Sequence, residues 1–278
     1  MKHEIRYASH PADAKSYDTT RLRDEFLVQN LFEPNEIKMV YSLIDRIIVG
    51  GAMPVGQTLQ LDTFSELKAE YYLQRREMGI VNVGGTAKII ADGVTYQIEY
   101  KEAVYLGMGT KDVSFQSVDA AQPAMLYINS APAHHSFPSR IITKADAEVV
   151  ELGSLESSNH RRINKLIVNS VLPTCQLQMG MTELRSGSVW NTMPAHTHNR
   201  RMEVYFYFEV PENQAICHFM GQPDETRHIW MGNNEAVISP SWSIHSAAGT
   251  SNYTFVWGMA GENLDYSDMD TRLPNQLK

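Results

Sequence analysis

The stretch Pro194-Ala195-His196-Thr197-His198, followed by Arg200-Arg201-Met202-Glu203-Val204-Tyr205-Phe206-Tyr207-Phe208, sets two histidines one residue apart and a glutamate five residues after the second. Imidazole and carboxylate are the usual protein ligands for zinc and other divalent first-row metals. A His-x-His pair on extended backbone turns both rings to one face. The aromatic and β-branched run from Glu203 to Phe208 reads as a strand, so the Glu203 carboxylate can hang beneath the two imidazoles. Further on, Glu235-Ala236-Val237-Ile238-Ser239 reads as a strand running into a turn marked by Pro240, and His245 begins the strand that returns. His196, His198, Glu203 and His245 are therefore one candidate metal site gathered from separate extended segments. The competing account is a solvated loop in which two histidines neighbour Arg200 and Arg201 and bind nothing.

Outward from this stretch, most of the chain consists of short alternating runs broken by Gly, Asp and Asn, which is the pattern of an all-β sandwich or barrel. Val94-Thr95-Tyr96-Gln97-Ile98-Glu99-Tyr100 alternates cleanly, and Ala91-Asp92-Gly93 supplies the turn that pairs it with Gly85-Thr86-Ala87-Lys88-Ile89-Ile90. Ala215–Phe219, Arg227–Met231 and Tyr253–Trp257 repeat the theme. Pro34-Asn35-Glu36-Ile37-Lys38-Met39 is the exception, where a proline near a helix start predicts a short helix. Val40 to Val49 fits either period and is assigned to strand.

A length of 278 residues at 43% hydrophobic content can bury one large core or two modest ones. The net charge of -8 and the absence of Lys/Arg runs argue against nucleic-acid and anionic-membrane partners, so an anionic ligand would need a local basic pocket. Cys175 and Cys217 sit in apolar strand-like stretches and are read as buried thiols rather than a disulfide. The polar start Met1-Lys2-His3-Glu4-Ile5-Arg6-Tyr7 lacks the apolar segment of a signal peptide, and no 18-residue apolar run occurs, which makes the cytoplasm the default compartment.

The two halves echo each other, either through a duplication or through the chance recurrence of short Arg-Arg and Glu-Ala-Val runs in β segments. Arg75-Arg76-Glu77-Met78 parallels Arg200-Arg201-Met202-Glu203, and Glu102-Ala103-Val104 parallels Glu235-Ala236-Val237, with Asp112 and His245 each ten residues after its glutamate. On that alignment Leu73 and Gln74 stand where the second half has its histidines, and the first half has lost the metal. The division predicted is residues 1–145 and 160–278, joined through the polar segment from Thr143 to Asn159. Strand parity turns Tyr205 and Tyr207 the same way as Glu203, either to reach a ligand or to pack in the core. Glu183 and Arg185 share a face that is either inward or a surface pair.

The spacing His-x-His, four residues, Glu, then a distant Gly…Pro…His matches the metal motifs of the cupin superfamily. Gly187-Ser188-Val189-Trp190-Asn191-Thr192-Met193 leading into the histidines closely resembles the 5-keto-4-deoxyuronate isomerases of pectin breakdown. Arg6–Pro11, Asp45–Gly51 and Thr174–Gly180 extend the likeness over nearly the whole chain. The resemblance implies a bicupin with few short helices, one zinc ion per subunit on His196, His198, Glu203 and His245, a homohexamer, and a small anionic sugar as the partner. It implies metal-assisted aldose–ketose isomerisation of 5-dehydro-4-deoxy-D-glucuronate to 3-deoxy-D-glycero-2,5-hexodiulosonate, with no redox change. It also raises Arg162 and Lys165, in Arg161-Arg162-Ile163-Asn164-Lys165, as substrate-pocket residues. These two cannot share a strand face, so one points in and the other out unless the backbone is irregular. No catalytic acid or base is assigned. An Fe(II) dioxygenase on the same ligands and a non-catalytic sugar-binding cupin are the rival functions.

Overall fold

The computed structural model describes residues 1–262 and 267–278. Its regular structure is almost entirely β-strand, as the alternating runs predict, with two short α-helices at Pro11–Ala14 and Thr19–Phe26. No helix among the described residues is long and apolar enough to cross a membrane. By their internal contacts the residues form two compact units: 1–6, 30–148 and 166–178 in one, and 7–29, 149–165 and 179–278 in the other.

In the first unit a seven-stranded sheet runs Lys2–Arg6, Ile37–Ser42, Ile48–Ala52, Leu126–Pro132, Arg76–Asn82, Ala103–Leu106 and Arg140–Ile142. A four-stranded sheet runs Leu59–Gln60, Val113–Ser117, Ala87–Ala91 and Val94–Ile98. Lys2–Arg6 pairs in parallel with Ile37–Ser42, and the other neighbours are antiparallel. The hairpin from Ala87 to Ile98 turns on Asp92 and Gly93, at φ 47° and 81°, the left-handed pair that matches the twist of flanking strands. Both sheets supply the core, which includes Met39, Leu73, Met78, Ile80, Ile89, Leu106 and Phe115. Each such burial contributes about 1.5–3 kcal/mol relative to exposure.

The helix expected at Pro34–Met39 is not formed. Asn35 lies at φ 60°, outside the helical region, and the chain enters the strand Ile37–Ser42, which is held between two neighbours. The helices fall earlier. Asp18 caps the second by accepting a hydrogen bond from the Arg21 N–H at 2.8 Å, and Leu22 and Phe26, four residues apart, are its buried face. Cys175 and Cys217 are free thiols.

The second unit repeats the plan. Its larger sheet runs Glu148–Leu152, Arg161–Ile167, Gln178–Leu184, Thr254–Gly261, Arg201–Phe208, Glu235–Ser239 and Leu27–Val28. Its smaller one runs Trp190–Asn191, Ser246–Gly249, Ile216–Gln222 and Glu225–Met231, and a pair of short strands, Ala195–Thr197 with Asp270–Arg272, is added. Strand order and register correspond. Arg76 and Arg201 open equivalent strands, and Met78 faces Leu106 across the ladder where Glu203 faces Ser239. Counting back from the arginines puts Leu73 in the place of His198 and Tyr71, rather than Gln74, in that of His196. Asp112 and His245 both immediately precede equivalent strands, but Asp112 is exposed and His245 is 1% exposed.

One fully buried carboxylate organises the first unit. Glu77 accepts hydrogen bonds from the N–H groups of Cys175, Gln176 and Leu177, each at 2.8 Å, and from the Tyr105 hydroxyl at 2.7 Å. Burial and the adjacent Glu77 charge hold the Tyr105 phenol well above its ordinary range, so it stays a donor. Glu77→Gln would turn an NH2 group toward these donors and is expected to cost about 3 kcal/mol. Urea unfolding followed by circular dichroism measures it.

Candidate metal centre

The central strand of the second unit, Arg201–Phe208, is paired along its length with Thr254–Gly261 and over Glu203–Tyr207 with Glu235–Ser239, so its side chains alternate strictly. Glu203 and Tyr205 turn into a cavity of about 370 Å³, and the Tyr207 hydroxyl meets His218 Nδ1 at 2.8 Å. The short strand Ala195–Thr197 buries Ala195 and Thr197, leaving His196 on the opposite face with His198 two residues on. His245 arrives at the end of the Pro240 turn, just before Ser246–Gly249. The four residues picked out by spacing thus converge: one ligand atom from each of His196, His198, Glu203 and His245 lies within 4.8 Å of the others.

Within the cluster, Glu203 Oε2 lies 3.0 Å from His198 Nε2 and 2.9 Å from His245 Nε2, and the Nε2 atoms of His245 and His196 are 2.9 Å apart. His198 Nδ1 sits 2.9 Å from the Arg201 carbonyl, which can only accept, so that nitrogen carries the hydrogen. His198 Nε2 then faces the Glu203 carboxylate, and either a proton or a cation must lie between them. Burial, with His245 beside it, pushes the His196 imidazole down to about 2, and burial also lowers His245 against the pull of Glu203. Burial opposes ionisation of Glu203, but His245 and the hydrogen bonds from His198 and His245 outweigh it and hold the carboxyl below its usual range. Imidazoles clustered about an ionised carboxylate are a donor set that a divalent cation takes.

The rest of the cavity is cationic on one wall and apolar on another. Arg161, Ile163 and Lys165 line it from alternate positions of one strand. Lys165 therefore faces the cavity, whereas Arg162 alternates away with Asn164, whose amide donates to Glu183 at 3.0 Å. Arg201 also lines the cavity although it is only 2% exposed, and it pairs with Asp268. Phe255, Trp257 and Met259 form the apolar side. The Tyr205 hydroxyl shares a hydrogen bond with that of Thr192 at 2.8 Å. Thr182 lines the cavity, so Glu183 and Arg185 alternate to the other face, where Arg185 pairs with Glu151 at the surface.

Sequence reasoning missed Arg161, Arg201, Thr192 and His218. Counting along their strands, four residues back from Lys165 and two back from Glu203, would have found the two arginines. Thr192 and His218 come from separate segments with no shared pattern. His218 is fully buried, pushed down to about 3 by burial, and its Nε2 has no hydrogen-bond partner.

Residues 26–272 match the family described as KduI/IolB. A Bacteroides thetaiotaomicron protein named 4-deoxy-L-threo-5-hexosulose-uronate ketol-isomerase 1 is 63% identical, covering 99% of each chain. Proteins called 4-deoxy-L-threo-5-hexosulose-uronate ketol-isomerase from Formosa agariphila and Dickeya dadantii are 59% and 54% identical, each match covering 99% or more of both chains. Among solved structures, an IolB-like protein from Salmonella typhimurium superposes with a TM-score of 0.66 at 17% identity, over 81% of this chain and 87% of that one. A Bacillus subtilis oxalate decarboxylase superposes at 0.56 and 8% identity, over 81% and 71%. These structural likenesses concern the fold.

The geometry makes a direct demand on metal uptake. Chelated protein titrated with zinc should take up one ion per chain. His245→Ala should weaken that uptake by at least roughly tenfold while the circular dichroism spectrum persists, because the sheets have their own apolar core. Asp112→Ala should leave uptake unchanged. Elemental analysis of the dialysed variants reads both outcomes.

Proposed function

The chain belongs to the KduI/IolB family, and from that premise we propose that it is the ketol-isomerase that converts 5-dehydro-4-deoxy-D-glucuronate to 3-deoxy-D-glycero-2,5-hexodiulosonate in polyuronate breakdown. The observation that carries this reading is a cavity lined at one side by His196 and Glu203, two members of the cluster of three imidazoles and a carboxylate, and on its wall by the cations of Arg161 and Lys165. Such a cavity suits a short chain with oxygen donors at one end and a carboxylate at the other. Relatives 53–63% identical over nearly their whole length carry the name of that activity.

Aldose–ketose isomerisation moves the C2 hydrogen to C1 and the C2 hydroxyl proton to the C1 oxygen, with no net oxidation. His196, His198, Glu203 and His245 would hold one zinc ion. When bound, it supplies Lewis acidity toward the C1 and C2 oxygens, lowering the cost of the negative charge that develops there. The chain's own residues do the rest of the positioning. Lys165 and Arg161 hold the C6 carboxylate, which fixes which end of the sugar reaches the histidines. The linked hydroxyls of Tyr205 and Thr192 orient the sugar hydroxyls by donating and accepting. Phe255, Trp257 and Met259 exclude water, which strengthens every polar contact inside. The first unit, with Leu73, Met78 and Leu106 packed in its core, is a cupin-type barrel without a metal in this reading. Assembly as a homohexamer in the cytoplasm completes it.

NMR of the unsaturated-uronate breakdown product incubated with the protein tests the assignment. The 2,5-diketone should appear, stop on chelation and return with zinc. Bound iron with oxygen uptake, or tight sugar binding without turnover, would replace the isomerase with a dioxygenase or a binding protein. The two basic residues separate cleanly in steady-state kinetics. Lys165→Ala should raise KM roughly 10- to 100-fold, the value of a lost charge-assisted contact. Arg162→Ala, on the outer face, should stay within about threefold.

A further inference from the structure

Thr192 has a backbone conformation that its side chain resists. Its φ is 47°, in the left-handed region, and it is the one β-branched residue with a positive φ among the described residues other than glycine. Such a conformation persists only where the surroundings over-determine it, and it clusters at functional sites. The surroundings do so here. On one side Asn191 is fully buried and paired with Ala247, its amide donating to the Tyr253 hydroxyl and its carbonyl accepting from the Ser246 hydroxyl, each at 3.0 Å. On the other side Ala195–Thr197 is held by its pairing with Asp270–Arg272.

What the turn achieves is the aim of one hydroxyl. Thr192 Oγ1 meets the Tyr205 hydroxyl at 2.8 Å, and both residues line the cavity together with His196 and Glu203. The Tyr205 ring stands edge-on to His245, with centroids 5.3 Å apart, which puts the two linked hydroxyls at the histidine end of the cavity. Each hydroxyl has one proton to give and lone pairs to take another. Two that are bonded to each other can therefore accept a proton at one oxygen while releasing one at the other, and neither has to ionise. Aldose–ketose isomerisation requires that transfer, from the C2 hydroxyl to the C1 oxygen, between neighbouring oxygens that two hydroxyls in contact can span.

We propose that Thr192 and Tyr205 are catalytic residues, a two-hydroxyl relay that carries the oxygen-bound proton of the isomerisation. The inference rests on the isomerase reading. The C2 hydroxyl gives its proton to one oxygen of the pair, that hydroxyl's own proton passes along the 2.8 Å hydrogen bond to the other, and the second hydroxyl's proton passes to the C1 oxygen. In the carbon frame the C2 hydrogen crosses to C1 with its bonding pair. The π pair of the C1 carbonyl moves onto the oxygen that receives the relayed proton, and the pair left on the C2 oxygen closes the new C2 carbonyl. Both side chains end with one proton each, so no outside acid, base or redox partner is consumed.

Kinetics of the full-length, zinc-loaded protein on the unsaturated-uronate breakdown product, followed by NMR, test the relay. Tyr205→Phe and Thr192→Val should each lower kcat on the order of 10²-fold, with KM within about threefold and with zinc content and circular dichroism preserved. Thr192→Ser, which keeps the hydroxyl, should recover most of what Thr192→Val loses. The double variant should be no slower than the slower single one, because a relay is broken only once. Substrate deuterated at C2 should deliver its label to C1 of the product. If Tyr205→Phe does not fold, the two Thr192 variants and the label decide the matter. A raised KM at unchanged kcat, losses that multiply in the double variant, no recovery by Thr192→Ser, or release of the label to water would overturn the relay and leave the isomerase reading intact. Absence of turnover by the wild-type protein would overturn both together.

Discussion

Everything in the second unit is arranged around one ionised carboxylate held out of water. Glu203 is 5% exposed, and a charge in that position survives because His198 and His245 approach within 3.0 Å and 2.9 Å. Burying a carboxylate is expensive unless it is paired, so the imidazoles, their orienting contacts and the strand that carries Glu203 form one cooperative requirement. The Arg201 carbonyl fixes the His198 ring. The period of two along Arg201–Phe208 then sets the remaining positions: the same alternation that points Glu203 inward brings Tyr205 to the cavity and sends Tyr207 to His218.

The first unit shows what the same strand order does without that charge. At the position of Glu203 it carries Met78, opposite Leu106, and both belong to a continuous apolar core. Its own buried carboxylate, Glu77, comes one residue earlier in the strand and is satisfied by backbone N–H groups and a phenol rather than by imidazoles. A carboxylate surrounded by hydrogen-bond donors that cannot leave is a structural tie. A carboxylate grouped with three imidazoles is a candidate cation site. Strand order is common to both units, and the local donor chemistry separates their roles.

A protein with a net charge of -8 that takes up an anion must concentrate positive charge locally. It does so on one strand, where Arg161 and Lys165 are four residues apart on the same side, and at Arg201 across the cavity lining. The sequence alone does not single out Arg161 over its neighbour Arg162. In Arg161-Arg162-Ile163-Asn164-Lys165 the inner set is 161, 163 and 165, and no feature of five polar and apolar residues in a row says which parity faces the cavity. Only the pairing of that strand with its neighbours decides it.

The order of residues sufficed for the strand class, the hairpin at Asp92-Gly93, the echo between the halves and the four residues of the candidate metal centre. These rest on local chemistry: left-handed turn residues, alternation, and ligand types at fixed spacing. Local chemistry misjudged Pro34–Met39, where Asn35 breaks the helix and neighbouring strands recruit Ile37–Ser42 into the sheet. It passed over the cap at Asp18 that starts the true helix. Folding in three dimensions was needed to establish that His245 reaches His196 across 49 residues, that Lys165 rather than Arg162 faces the cavity, and that Asp268 meets Arg201. The physical reason is the same in each case: spacing along a chain specifies which side chains share a face, but which face is buried, and against what, is settled by sheet pairing between segments distant in sequence.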